Sequence, residues 1–188
     1  MNPVGVFELW LPMLISAVLV FLVSWVFHVL LPIHRSDHAQ LPGEETILSV
    51  MRDQKVGPGT YFFPYCKDLK GLSSDEMQEK FKRGPVGIMT VLPPGPPAMG
   101  KNLALWFLFA LLIAFVSAYV AAVALPRGAD YLSVHRVAGS VAITGFAASY
   151  ISDSIWKGQR WSVTLKFVVE GIVYGMLTGG TFGWLWPA

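Results

Sequence analysis

Residues 162–186, SVTLKFVVEGIVYGMLTGGTFGWLW, decide how this chain folds. Within this apolar run, glycine stands at every fourth position, at Gly171, Gly175, Gly179 and Gly183. In water, each interior glycine would cost a helix about 1 kcal/mol relative to alanine. In a lipid bilayer, the same spacing forms a groove in which a second helix backbone packs closely. The run therefore predicts a transmembrane helix that lies against a close neighbour.

The whole chain has the composition of a membrane protein. Of its 188 residues, 54% are hydrophobic and only 14% are charged, whereas soluble domains are about 25% charged. A helix needs about 20 apolar residues to cross a bilayer. We therefore predict an all-α membrane protein, a bundle of four transmembrane helices in contact with the lipid bilayer. The four apolar runs are residues 6–31, 103–125, 133–152 and 162–186.

Basic residues and tryptophans indicate the orientation of this bundle. Arg127 and Arg136 lie on one side, and the other twelve of the 14 lysines and arginines lie on the side of the loops after the first and third helices. The positive-inside rule places that second side in the cytoplasm. Tryptophans near both ends of the predicted helices fit two interfacial belts. Both termini are therefore expected outside, and the loop after the first helix in the cytoplasm.

The polar segment between the first two helices is a predicted cytoplasmic insert. Residues 44–55 have helical periodicity, and Ser73 with Glu76 forms a capping box for a second short helix. Residues 60–65 and 87–92 read as strands that can pair as a β-hairpin. The predicted organisation is a first transmembrane helix at 1–32, the insert at 33–102 and three transmembrane helices at 103–188.

Four ionisable residues are predicted to lie toward the cytoplasmic ends of the helices. Such groups are costly in a membrane and usually face the bundle interior, a partner or water. Lys166 and Glu170 are four residues apart and can pair on one helix face. The cluster is either a site for a proton, a cation or a small polar substrate, or a polar layer that sets helix register. Its members are His28, Asp153, Lys166 and Glu170.

The glycine row has two candidate neighbours. One is the small-residue face of the third helix, and the other is the same row in a second copy of the chain. The sequence does not decide between them. The small-residue face consists of Ala138, Ala142, Gly145 and Ser149.

Other reactive residues give weaker patterns. His34 and His38 are four residues apart and follow the spacing of a helical metal pair, with Asp37 beside them, but no third ligand is near in sequence. Cys66 is the single cysteine, so an intramolecular disulfide is impossible. Basic residues are interspersed with acidic ones, which does not indicate a nucleic-acid partner. We predict no catalytic residue, no metal and no cofactor.

Two stretches resemble a known group of proteins. Residues 84–87 with 95–100 resemble the loop of uncharacterised small bacterial inner-membrane proteins, and residues 152–158 with 181–187 resemble their closing helices. The four-helix plan is also similar to a broader family of bacterial proteins with a domain of unknown function. The resemblance implies a bacterial inner membrane, with both termini periplasmic, and no established activity.

Three functional hypotheses follow from the sequence. The first is a structural or accessory subunit that binds other membrane subunits or itself. The second is a small proton- or cation-coupled transporter or channel that uses Glu170, with Asp153 or His28, and it predicts a water-accessible cavity that reaches Glu170 from the cytoplasm. The third is a membrane-bound enzyme, which requires Cys66, His34 or His38 to meet another reactive group in a cleft.

Overall fold

The computed structural model describes residues 3–68 and 70–188 of a mostly helical chain. A 3₁₀ turn at Val6–Leu9 leads into the first helix, which ends in a π-helical turn at Val26–Leu30, and a further 3₁₀ turn follows at Pro32–His34. The described residues form six α-helices and two strands in the order α1 (Trp10–Trp25), α2 (Glu44–Asp53), β1 (Gly59–Phe63), α3 (Asp75–Arg83), β2 (Gly87–Val91), α4 (Met99–Ala124), α5 (Tyr131–Lys157) and α6 (Trp161–Trp184).

Three helices of the described chain, and not the four predicted, are long and apolar enough to cross a membrane. They are Val6–Leu30, Met99–Ala124 and Trp161–Trp184. The predicted third run lies on α5, which is 27 residues long. Its histidine, arginine, serine and threonine side chains lower its hydropathy. By length and composition alone, the described residues contain three such helices where four were predicted, and α5 is the one that does not qualify.

The chain divides into two compact units. One comprises residues 1–37 and 98–188, and the other comprises residues 38–97. The predicted insert began at residue 33. The compact unit begins five residues later because the segment up to Asp37 is hydrogen-bonded to α6.

The second unit contains the predicted hairpin and two short helices. Strands β1 and β2 pair antiparallel, with Tyr61 opposite Met89. The N-cap of α3 is Ser74, whose hydroxyl accepts a hydrogen bond from the Met77 amide at 3.3 Å. The sequence placed this cap one residue earlier, at Ser73. A one-residue difference in a cap is typical, because adjacent serines satisfy the same pattern.

The glycine row of α6 faces α5 within the same chain. A Cβ added at Gly175 would lie 2.6 Å from the Ile143 backbone nitrogen, and one at Gly179 would lie 2.6 Å from the His135 carbonyl oxygen. At the two ends of the row, Gly171 lies against Ala147 and Gly183 against Tyr131. Each glycine therefore makes room for the backbone or side chains of α5. We call this contact the glycine interface.

The face of α5 in the glycine interface differs from the predicted small-residue face. Ala138 and Ala142 do not meet the glycines directly but are buried in clusters that contain residues of α1, α4 and α6, including Phe182 and Tyr174. Gly145 lies against Ile113 of α4, and Ser149 is exposed. Small residues recur every three or four positions on several faces of α5, so their spacing alone did not select the face that meets α6.

Candidate functional site

The cluster forms where the end of the first helix meets α6. The π-helical turn at Val26–Leu30 carries His28, whose Nδ1 donates to the Ser24 carbonyl oxygen at 3.0 Å. After Leu31 the backbone is extended, and Pro32 starts the 3₁₀ turn that ends at His34. Proline cannot donate to a continuing helix, so the chain turns back here. The turn carries His34 to α6.

Two basic residues of α6 and its N-terminus hold this segment. Lys166 Nζ donates to the Ile33 carbonyl oxygen at 2.6 Å, to Ser36 Oγ at 3.0 Å and to Asp37 Oδ1 at 2.6 Å. Arg160 donates to the backbone oxygens of Ser36 and Asp37 at 2.5 and 2.9 Å. These bonds tie residues 33–37 to α6 and its N-terminus and so position His34.

His34 lies between two carboxylates. Its Nδ1 is 2.5 Å from Asp37 Oδ2, and its Nε2 is 2.5 Å from Glu170 Oε1. The side chains of Asp37 and Glu170 are only 6% and 3% exposed. Contacts this short and buried are typical of hydrogen bonds in which both groups are charged. We call Asp37, His34 and Glu170 the His34 relay.

The two short contacts require two hydrogens. A neutral imidazole carries one N–H, whereas an imidazolium carries two. With both carboxylates ionised, His34 must therefore be an imidazolium, or else Glu170 must carry the second hydrogen. Without that hydrogen, the Nε2 lone pair and a Glu170 oxygen would face each other. The geometry of the His34 relay therefore requires one proton more than a neutral histidine and two ionised carboxylates would carry.

Electrostatics around the segment favour this protonated state. Burial opposes the charge on His34, but its hydrogen bonds to Asp37 and Glu170 outweigh burial and raise the pKa of His34 above its usual range. Burial also opposes the charge on Asp37, and bonds from Lys166 and His34 outweigh it, so the pKa of Asp37 is lowered. The imidazolium and the Asp37 carboxylate therefore stabilise each other.

The second oxygen of Glu170 faces different groups. Tyr174 Oη donates to Glu170 Oε2 at 3.1 Å, and His28 Nδ1 lies 3.8 Å from the same oxygen. The rings of His28 and His34 are stacked, with centroids 4.3 Å apart and planes 12° apart. Glu170 is therefore the point at which α6 meets both histidines.

A cavity of about 440 Å³ reaches Glu170. Glu170 lines part of it, together with Ser24 and His28. Its rim includes Trp25, Val29 and Met99, which are 48%, 62% and 61% exposed. The aromatic residues of its described lining are Phe21, Trp25, Trp106, Phe146, Tyr150, Phe167 and Tyr174.

The histidines and Glu170 are close enough to consider as metal ligands, but their geometry does not suit one ion. One ligand atom from each of His28, His34 and Glu170 lies within 4.8 Å of the others. A histidine nitrogen binds a metal in the plane of its ring, at about 2.0–2.1 Å for zinc. Stacked, nearly parallel rings cannot both point at a common ion at that distance. The ring nitrogens of His34 already face carboxylate oxygens, so the donor set fits a proton relay better.

The structure brings together part of the predicted polar cluster. His28 and Glu170 are neighbours, but Lys166 pairs with Asp37 instead of Glu170, because Asp37 approaches from the turned segment. Asp153 pairs with Lys157 on α5 at 2.8 Å and is not in the relay. His38, which was considered as the metal partner of His34, belongs to the second unit together with Cys66.

Sequence reasoning missed the central role of His34 and Asp37. They contact α6 residues that are more than 120 positions away. Their one local signal is the three-residue spacing that lets Asp37 accept from His34 Nδ1. The proline before them indicated a turn but not its direction.

Comparisons with protein-family models, with curated proteins and with solved structures gave no match. The chemistry of this site is therefore argued from its own residues.

Proposed function

We propose that this protein is a small proton-coupled transporter of the bacterial inner membrane and that the His34 relay is its proton-binding site. The observation that carries the proposal is a buried carboxylate, Glu170, that contacts a doubly hydrogen-bonded histidine and borders a cavity. Ionisable groups at membrane depth commonly mark proton or substrate pathways. The transporter hypothesis predicted a water-accessible cavity that reaches Glu170 from the cytoplasm, and a cavity partly lined by Glu170 supports this hypothesis.

The accessory-subunit hypothesis rested on the small-residue faces of the third and fourth helices and on an insert without catalytic constellations. The glycine row of α6 lies against α5 of the same chain, so this row does not require a second protein. A structural role would be favoured if the protein purified gently from its native membrane travelled with a larger assembly. The enzyme hypothesis gains the contact between His34 and Glu170, whereas Cys66 and His38 belong to the second unit. However, the cavity hydroxyl of Ser24 donates to the Phe21 carbonyl oxygen and accepts from the Trp106 indole, so it is not paired with a base.

In the proposed arrangement, α5 is a fourth span. Its residues from Tyr131 to Ala147 lie against α6, which is apolar enough to cross a membrane. In this arrangement α5 therefore lies at the same depth in the bilayer as α6. Both termini are then periplasmic and residues 38–97 cytoplasmic, as the distribution of basic residues favours. The relay lies at the cytoplasmic end of the bundle in this orientation.

Nitrogen NMR of the histidines in lipid nanodiscs tests the proton site. We expect His34 to stay doubly protonated as pH rises to the usual pKa of histidine and to lose its second proton only above it. Glu170→Gln removes one carboxylate and should lower the pH at which His34 deprotonates. Glu44→Gln is the control, because Glu44 is an exposed residue of the second unit. A His34 ring that stays singly protonated, or that ignores Glu170→Gln, would overturn the proposal.

A further inference from the structure

We propose that the cavity beside Glu170 binds an organic cation with an apolar body, and that this cation displaces the second proton of the His34 relay. The inference rests on the proposed function and adds its substrate class.

The walls of the cavity suit such a ligand. Trp25, Trp106, Phe167 and Tyr174 contribute aromatic rings to a volume of about 440 Å³, which is within the usual range for small-molecule sites. Aromatic faces attract cations through their quadrupole and also bury apolar surface. Trp106 is held by its indole N–H, which donates to Ser24 Oγ at 2.8 Å, so this wall is pre-formed.

The charge balance of the relay explains why the ligand is a cation. When the second proton is present, the imidazolium of His34 balances the carboxylate of Glu170. When that proton leaves, one negative charge stays uncompensated at the edge of the cavity. A bound cation restores the balance. Besides His34 and Glu170, the titratable or charged groups that belong to the relay or face it or residues 33–37 are His28, Asp37, Tyr150, Arg160, Lys166 and Tyr174.

Other occupants fit less well. Hard metal cations such as Ca²⁺ require six or more oxygen ligands, whereas the described lining is mainly rings. An anion would meet the Glu170 carboxylate. A neutral apolar molecule would fill the cavity but would not use the carboxylate of Glu170.

The exchange is balanced in atoms and charge. One cation enters the cavity, and one proton leaves the contact between His34 Nε2 and Glu170 for water. His34 ends as a neutral ring that still donates from Nδ1 to Asp37. No bond other than this N–H or O–H bond breaks, and no oxidant or reductant is needed.

Calorimetric titration in nanodiscs tests the inference with a matched pair of ligands. Methyltriphenylphosphonium is a cation, and triphenylphosphine oxide is a neutral molecule of similar shape. We expect the cation to bind about tenfold more weakly for each pH unit below the pKa of His34, because one proton competes with it. Binding should release close to one proton, measured in two buffers of different ionisation enthalpy. Empty nanodiscs give the partitioning into lipid.

Two variants and a control link the binding to this cavity. Glu170→Gln should weaken cation binding at least tenfold and abolish its pH dependence. Phe167→Leu should weaken binding without changing proton release per bound cation, and it keeps the test open if Glu170→Gln does not fold. Phe115→Leu is the control, because this exposed phenylalanine of α4 is outside the described lining of the cavity.

The outcomes separate this inference from the proposed function. Equal, pH-independent binding of both ligands, or cation binding unaffected by Glu170→Gln and Phe167→Leu, would overturn the inference. If His34 titrates as expected by NMR but no cation binds, the substrate class is wrong and the proton site stands. If His34 does not titrate, the proposed function fails as well.

Discussion

The two sides of α6 are held by opposite kinds of interaction. Toward α5, the glycine interface brings two backbones together with almost no polar side chains. Toward the end of the first helix, Lys166 and Glu170 bind a turned segment through hydrogen bonds and ion pairs. The first contact depends on volume, and the second depends on protonation. A single helix therefore joins a part of the protein that should ignore pH to a part that should respond to it.

The largest expected effect comes from adding volume to the glycine interface. Gly179→Ala places a methyl group 2.6 Å from the His135 carbonyl oxygen, and overpacking of this kind typically costs about 1–3 kcal/mol. Gly175→Leu should cost more, since it meets the backbone of Ile143. Thermal unfolding in detergent, followed by tryptophan fluorescence, measures both.

Gly180→Ala is the matched control for this prediction. Its added methyl group would meet only the Tyr131 hydroxyl, at 3.5 Å, so it should be neutral or stabilise the helix by up to about 1 kcal/mol. Equal unfolding temperatures for Gly179→Ala and Gly180→Ala would show that the row does not determine packing.

A smaller effect is expected on the polar side. Lys166→Met leaves the buried carboxylate of Asp37 without its lysine, and breaking a buried pair costs on the order of 3 kcal/mol. Because His34 still contacts Asp37, the loss of stability should be smaller than this figure. It should therefore stay below the loss caused by Gly175→Leu. Lys157→Met, which breaks the more exposed pair with Asp153, should cost less than about 0.5 kcal/mol. A Lys157→Met effect as large as that of Lys166→Met would contradict the special role of this segment.

The smallest expected effect is a change with pH in the hydrogen-exchange protection of residues 33–37. This effect distinguishes the two sides of α6 most directly. The raised pKa of His34 means that its contribution is complete below the unfolded value of 6.5 and is lost as pH rises through the folded pKa. The lowered pKa of Asp37 means that its contribution is complete above 3.8 and is lost as pH falls through the folded pKa. Protection of residues 33–37 should therefore peak between these two pH values.

Hydrogen exchange, corrected for the intrinsic pH dependence of amide exchange, measures this window. The amides of the glycine interface serve as the internal reference and should show no such peak. Asp37→Asn should remove the loss at low pH and reduce the loss at high pH, because Asp37 also raises the pKa of His34. Identical pH profiles for the segment and the interface would mean that the relay does not hold the segment.

The contrast between the two sides of α6 also explains which features of the protein could be predicted from its sequence. Apolar runs located the three helices that are long enough to cross a membrane, and strand-like residues located the hairpin, because both signals are local. The relay could not be located this way. His34 and Asp37 reach Glu170 and Lys166 through a turn whose direction depends on tertiary hydrogen bonds. The face of α5 that meets α6 was also ambiguous, since small residues occur on more than one of its faces.

The position of Glu170 in the chain has a mechanical consequence. It directly precedes Gly171, the first residue of the glycine interface, so its backbone is anchored to a stiff two-helix body. His28 and His34 belong to the end of the first helix, where the helical winding is irregular and the chain reverses. The Glu170 carboxylate is therefore positioned by the close-packed pair of α5 and α6, whereas the two histidines are positioned by the turn at the end of the first helix. Spin labels on this turn and on α5 should detect any motion that accompanies proton release.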